Sequence, residues 1–184
     1  RKDGSTFDVM LNSTVNYDKN GNILSLHSAG DKEHQPDLAW MDVMNYYYEG
    51  NKLLRIKDDG NNYFGFTTQV PGTDEQPQYS YDNNGNLTAD RNKNITAITY
   101  NHLNLPLKIT FSGTNKYIDF VYNAAGQKQS KTIVNGGNAI ITYYAGSHTY
   151  QKVNAGATAL QFIAQPQGYA YPDNGTYRYV YQYK

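Results

Sequence analysis

The chain contains no cysteine, which excludes disulfides, thiolate zinc sites and cysteine nucleophiles. It also lacks net charge, with 16 Lys and Arg against 16 Asp and Glu. Nonspecific binding to nucleic acid or to an anionic membrane needs a cationic footprint, and a neutral balance supplies none. No apolar run approaches the ~20 residues of a membrane-spanning helix. Arg1-Lys2 leads into polar residues rather than a signal-peptide core. Aliphatic residues are scarce as well: Leu, Ile, Val and Phe together make 35 of 184 residues. Such scarcity marks disorder when it comes with high net charge and few aromatics, but here the charge is nil and there are 19 tyrosines.

Tyrosine therefore supplies packing that Leu and Val supply elsewhere. Each ring buries ~150–250 Å² while its hydroxyl seeks water or a hydrogen-bond partner. Turn formers are equally abundant, with 16 Gly, 21 Asn and 6 Pro. Tyrosine-rich strands cut by Asn/Gly turns predict an all-β chain. The length is one domain's worth, enough to bury roughly 70% of the unfolded chain's surface.

The strands come in a repeat. Tyr17-Asp18-Lys19-Asn20-Gly21, Tyr81-Asp82-Asn83-Asn84-Gly85, Tyr100-Asn101-His102-Leu103-Asn104 and Tyr122-Asn123-Ala124-Ala125-Gly126 align without gaps. Tyr48-Glu49-Gly50-Asn51 is a shorter relative, and Tyr144-Ala145-Gly146 opens a further unit. Asp or Asn after the tyrosine caps the backbone two residues on, and Gly at the end of the motif takes a left-handed conformation. Asn104 replaces Gly in one copy and is the next-best residue there. Each unit predicts a β-hairpin. Isolated hairpins are barely stable in water, so the units are expected to stack edge to edge into one continuous curved antiparallel sheet.

Alternation is visible in Ile118/Phe120/Tyr122 and in the C-terminal run from Tyr177 to Lys184, where Tyr177, Tyr179, Tyr181 and Tyr183 share one face. Residues 28–41 and 67–78 read as polar loops inside a single repeat region, 1–184. Leu38-Ala39-Trp40-Met41 could add one helical turn to the first loop.

The Tyr-Asp-x-x-Gly-Asn units at 17–22 and 81–86 resemble the YD repeat of bacterial rearrangement-hotspot (Rhs) proteins. The resemblance extends through Asp42–Asp58, Tyr100–Ile109, Leu160–Ile163, Gly168–Pro172 and Tyr179–Tyr183, and covers roughly residues 12–184. These segments look like the tract just before the Rhs-associated core domain. The resemblance implies hairpin arrays that spiral into a hollow β-shell, as in teneurins and insecticidal toxin complexes. In bacterial members such a shell houses or presents a C-terminal toxin-like domain, and the protein is secreted or displayed at the cell surface. It further implies that the chain is a fragment of a longer polypeptide, whose remainder (further repeats, core, C-terminal domain) is its main partner. The core's self-cleaving segment has no counterpart here, so no autoproteolytic residue is carried over.

Enzyme chemistry finds little support, and no cofactor or metal is expected. No paired-histidine metal helix, nucleophile elbow, phosphate loop or dinucleotide fingerprint is present. The histidines at 27, 34, 102 and 148 are scattered, and a site built from His27, Asp31 and His34 reads better as a charged loop. Asp18-x-Asn20-x-Asn22 and Asp82-x-Asn84-x-Asn86 resemble the start of a calcium loop. Their glycines, however, come two places early, and Ala29 and Lys93 stand where that loop needs Glu. Asp74-Glu75, if extended, points its carboxylates opposite ways. The one constellation with recognition chemistry is the row Tyr177, Tyr179, Tyr181, Tyr183, with rings about 7 Å apart on a strand. Such a row offers rigid amphipathic area to glycans or a surface protein. The alternative is that these rings pack on one another or line the shell. Unpaired sheet edges also predict edge-to-edge homodimers.

Overall fold

The computed structural model describes residues 13–30, 39–60, 65–66, 70 and 75–182. All the described regular structure is antiparallel strand except one 3-10 turn. Residues through Asn94 form one compact unit and those from Ile95 a second.

In the first unit β1 (Ser13–Tyr17), β2 (Ile23–Gly30), β3 (Ala39–Glu49) and β4 (Lys52–Asp58) pair in sequence order as a four-stranded sheet. The expected loop over 28–41 is shorter than predicted. Ala29 and Gly30 pair with Trp40 and Ala39, and Ser28 Oγ donates to Asp42 Oδ2 across the strands at 2.6 Å. Ladder bonds and this charge-assisted bond hold Ser28–Gly30 and Ala39–Met41 extended, so the helical turn expected at Leu38–Met41 does not form over Ala39–Met41. Leu38, Asp31 and His34 lie outside the described residues. Arg55 on β4 is nearly buried, its guanidinium carbon 4.0 Å from the Tyr47 ring centroid and one nitrogen 3.7 Å from Glu75.

The hairpin β5 (Tyr79–Tyr81) and β6 (Leu87–Asp90) completes this unit with a 3-10 turn at Arg91–Lys93. Strand pairing does not continue from β4 to β5, contrary to the single continuous sheet expected. Gln78 replaces it. Its backbone N–H donates to Leu54 O at 2.7 Å, and its side chain then turns onto Ile56. Oε1 accepts from Ile56 N and Nε2 donates to Ile56 O, both at 2.9 Å. The carboxamide thus serves β4 as a single detached peptide group. Gln78 is only 4% exposed, and Val70 is 5% exposed, so the stretch expected as a polar loop over 67–78 is partly interior. Asn92 Nδ2 also reaches Gln78 Oε1, at 2.8 Å, and Asp90 caps the 3-10 turn by accepting from Lys93 N at 3.1 Å.

The second unit is a run of strands in sequence order: β7 (Ile95–Tyr100), β8 (Pro106–Phe111), β9 (Lys116–Tyr122), β10 (Lys128–Asn135), β11 (Asn138–Ala145), β12 (His148–Val153), β13 (Ala159–Gln165), β14 (Gly168–Asp173) and β15 (Thr176–Tyr181). Substantial contacts in this unit join only strands adjacent in sequence, and among its described hydrophobic residues only Val134 and Ala170 are buried. It is a single layer with both faces half wet. Its stability comes from ladder hydrogen bonds and same-face neighbours. One example is Lys108, whose Nζ lies 3.9 Å from the Tyr117 ring centroid and 3.5 Å from Asp119.

Candidate functional site

The repeat turns fold by one local rule. Asp18 Oδ1 accepts from the backbone of Asn20 and Asn22, each at 2.8 Å, and Oδ2 from Asn22 Nδ2 at 2.8 Å. Asp82 does the same with Asn84 at 2.9 Å and with Asn86 at 2.8 Å (backbone) and 2.9 Å (side chain). Neutral Asn101 and Asn123 reproduce the two backbone bonds, to Leu103 and Leu105 and to Ala125 and Gln127, at 2.9–3.0 Å. Gly21, Gly85, Gly126 and Asn104 occupy the left-handed position, at φ 87°, 84°, 78° and 57°. The Asp18 and Asp82 carboxylate oxygens that suggested a calcium loop are thus engaged in turn capping. The Asn22 and Asn86 amides, helped by backbone N–H groups, hold the Asp18 and Asp82 carboxyls below the usual carboxylate range.

After the turns that follow Tyr17, Tyr48, Tyr81, Tyr100 and Tyr122 the returning strand carries one extra residue, whereas the strand after Tyr144 pairs without a shift. The register skips Leu24, Leu54, Thr88, Leu107 and Gln129, each of which follows a repeat turn. A bulge leaves a residue out of the ladder and disrupts pairing beside it. The repeat tyrosine of the next hairpin uses the carbonyl just before the bulge. Tyr48 donates to Ile23 O at 2.9 Å, Tyr81 to Leu53 O at 2.9 Å, and Tyr122 to Pro106 O at 3.1 Å. Partial burial raises these three phenol pKa values above the ordinary tyrosine value. In the sequence this tyrosine reads as a strand former and packing ring whose hydroxyl seeks water or a partner, with no acceptor identified. Its invariable place one residue before each turn, where Phe never stands, was the available signal. The shorter units close with Gly50 and Gly146, both at positive φ.

The C-terminal tyrosine row sits on β15. Asp173 and Thr176 pair across a two-residue loop, and Asn174 (φ 48°) and Gly175 (φ 81°) give it the geometry of a type I′ turn. Arg178 Nε is ion-paired with Asp173 beside the loop. Tyr177, Tyr179 and Tyr181 are 53%, 59% and 62% exposed and share one face, while Tyr183 lies outside the described residues. Their direct neighbours on β14 are Pro172, Ala170 and Gly168, so no tall side chain stands beside the rings on that strand. The rings are therefore not packed away within this unit. Next to Tyr179 and Tyr181 the β13–β14 turn bounds a shallow pocket of about 170 Å³, with Gln165, Pro166, Gln167 and Gly168 on its wall. That is about half the lower end of drug-sized sites, room for one ring-sized group. On the opposite face Phe162, Tyr169 and Tyr171 pack together, with centroids 5.9 and 6.2 Å apart along the chain of contacts.

Other sequence candidates are dispersed. His102 is exposed in its turn, His27 lies on β2, and His148 stacks on Tyr150 at 6.3 Å. Glu75 faces Arg55, while Asp74 is outside the described residues. Neither a family model nor a curated protein sequence matches the chain.

Proposed function

We propose that the chain is a non-catalytic scaffold: a stretch of hairpin repeat of the Rhs/YD type within a longer secreted or surface polypeptide. There it builds part of a β-shell wall that houses or presents a C-terminal, toxin-like domain. The observation that carries this reading is the recurrence of one hydrogen-bonded unit. A capped turn, a bulge and a tyrosine hydroxyl bonded to the preceding hairpin recur along the chain. At these three places one hairpin makes the docking site for the next, which suits an array that grows by repetition. A sheet wet on both faces also suits a wall better than a globular catalytic core. The test is limited proteolysis of the complete gene product. A C-terminal domain that is cut only after the β-region is denatured supports the scaffold. Equal cutting in the intact protein contradicts it.

The exposed row of Tyr177, Tyr179 and Tyr181 beside a ring-sized pocket favours a second reading, a module that binds glycans or a surface protein. Flat rings stack on sugar faces while flanking Gln165 and Gln167 carboxamides offer donors and acceptors. A glycan-array screen with a Tyr179→Ala/Tyr181→Ala variant separates the two. Binding lost in the folded variant supports recognition, and a blank from folded wild type removes it.

A further inference from the structure

We propose that Asn174 is a site of spontaneous deamidation and isoaspartate formation, selected among the chain's four Asn-Gly pairs by the free backbone N–H of Gly175. The pairs are Asn20-Gly21, Asn84-Gly85, Asn135-Gly136 and Asn174-Gly175. In the reaction the glycine nitrogen gives up its proton to solvent base and attacks the asparagine Cγ. The new N–Cγ bond closes a five-membered succinimide. The Cγ–Nδ2 bond breaks, and the amide nitrogen leaves as ammonia after taking up a proton. Water then adds to one of the two ring carbonyls. Opening at one gives aspartate, and opening at the other gives isoaspartate, so the sum is one water consumed and one ammonia released.

Steric access does not distinguish the four pairs, since at each glycine a Cβ would meet nothing within 4 Å. The attacking nitrogen does. Gly21 N donates to Asp18 O at 3.2 Å, Gly85 N to Asp82 O at 3.1 Å, and Gly136 N to Asn115 O at 2.9 Å. Each of those nitrogens must give up a hydrogen bond before it can lose its proton and swing towards Cγ. Gly175 N–H makes no hydrogen bond among the described residues. In a two-residue hairpin loop the closing bonds belong to the flanking pair, here Asp173 and Thr176, and the central N–H groups face water. The Asn174 carboxamide is held by one exposed bond, from Nδ2 to Asp173 Oδ1 at 3.1 Å.

The product has consequences for β15. Isoaspartate inserts a methylene into the main chain of the loop that sets the β14–β15 register. Either product also adds a carboxylate next to the Asp173–Arg178 ion pair. Ageing at this one position therefore loosens the strand that carries Tyr177, Tyr179 and Tyr181.

The experiment is incubation of the folded chain in mildly alkaline buffer, with a parallel sample in urea. Digestion and mass spectrometry then quantify each Asn-Gly peptide, with isoaspartate resolved from aspartate. In the folded chain the Asn174 peptide converts about fivefold faster than the other three, the rate equivalent of one backbone hydrogen bond. In urea the four rates converge. Equal rates in the folded chain, or an Asn174 lead that persists undiminished in urea, overturn the proposal. Asn174→Gly preserves a turn-compatible loop and abolishes the main acidic species. Persistence of that species in the variant also overturns it.

Discussion

Replacing Gln78 by methionine keeps the length of the side chain but removes both polar atoms that face Ile56. Ile56 is 8% exposed and Gln78 4%, so little water can take their place. Two backbone groups are orphaned, Ile56 N–H and Ile56 C=O, whose present bonds are both 2.9 Å. Asn92 Nδ2 keeps Tyr79 Oη at 3.1 Å, and the backbone bonds of Gln78 to Leu54 and Arg91 are untouched. An unsatisfied buried group costs about 1–3 kcal/mol, so the two together cost about 2–5 kcal/mol after some relaxation. For a unit of this size that is a fall in Tm of about 10 °C or more. Denaturant unfolding followed by the fluorescence of Trp40, the chain's one tryptophan, reads the first unit, and exchange of the Ile56 amide reads the site. Gln161→Met is the control, because that side chain is exposed and reaches only Ala159 O at 3.5 Å. If Gln78→Met unfolds with the wild type, or no more easily than the control, the carboxamide does not complete β4 as described.

Three further outcomes follow from the same geometry. Asp18 and Asp82 have depressed carboxyl pKa values, so their contribution is present above the unfolded Asp value and lost as pH falls through the folded one. Asp82→Asn, which copies the neutral caps at Asn101 and Asn123, should keep its turn and lose part of this acid sensitivity; an unchanged acid-unfolding curve would count against the cap. The phenols of Tyr48, Tyr79, Tyr81 and Tyr122 have raised values, chiefly through burial. Stability from them is full below the unfolded tyrosine pKa and drains as pH climbs through the folded values, so alkaline unfolding should coincide with a cooperative step in phenolate absorbance, and a gradual titration with no step would refute it. Among the described residues the outer edge of β15 has no strand partner, which predicts concentration-dependent association in sedimentation velocity, and a single monomer species at every concentration opposes it.

The turns were legible because their chemistry is local: Asp or Asn next to Tyr, and Gly or Asn three residues further on, suffice to place each hairpin. The alternation at Ile118/Phe120/Tyr122 and along Tyr177–Tyr181 was legible for the same reason. What stayed hidden depends on partners distant in sequence. Gln78 reads as loop because it is polar among Pro77 and Gln76, yet its carboxamide matches the spacing of a peptide group and can be buried against Ile56. Ser28 likewise reads as polar loop until its strand pairs and its hydroxyl meets Asp42. The bulges at Leu24, Leu54 and Leu107 leave no mark in composition. Without them the tyrosine hydroxyls have no evident acceptor, so the repeat's most informative atom was read as incidental. Of the site, the shared tyrosine face was legible, but the small residues opposite it on β14, which keep the rings exposed, belong to the register.

The central claim is that Tyr48, Tyr81 and Tyr122 each tie their hairpin to the one before it through the hydroxyl. Tyr48→Phe, Tyr81→Phe and Tyr122→Phe remove that oxygen alone, while Tyr177→Phe removes one that faces solvent. Unfolding free energies for the four variants should separate, with losses of about 0.5–1.5 kcal/mol for each repeat tyrosine and near zero for Tyr177. Repeat-tyrosine variants that match Tyr177→Phe would contradict the account.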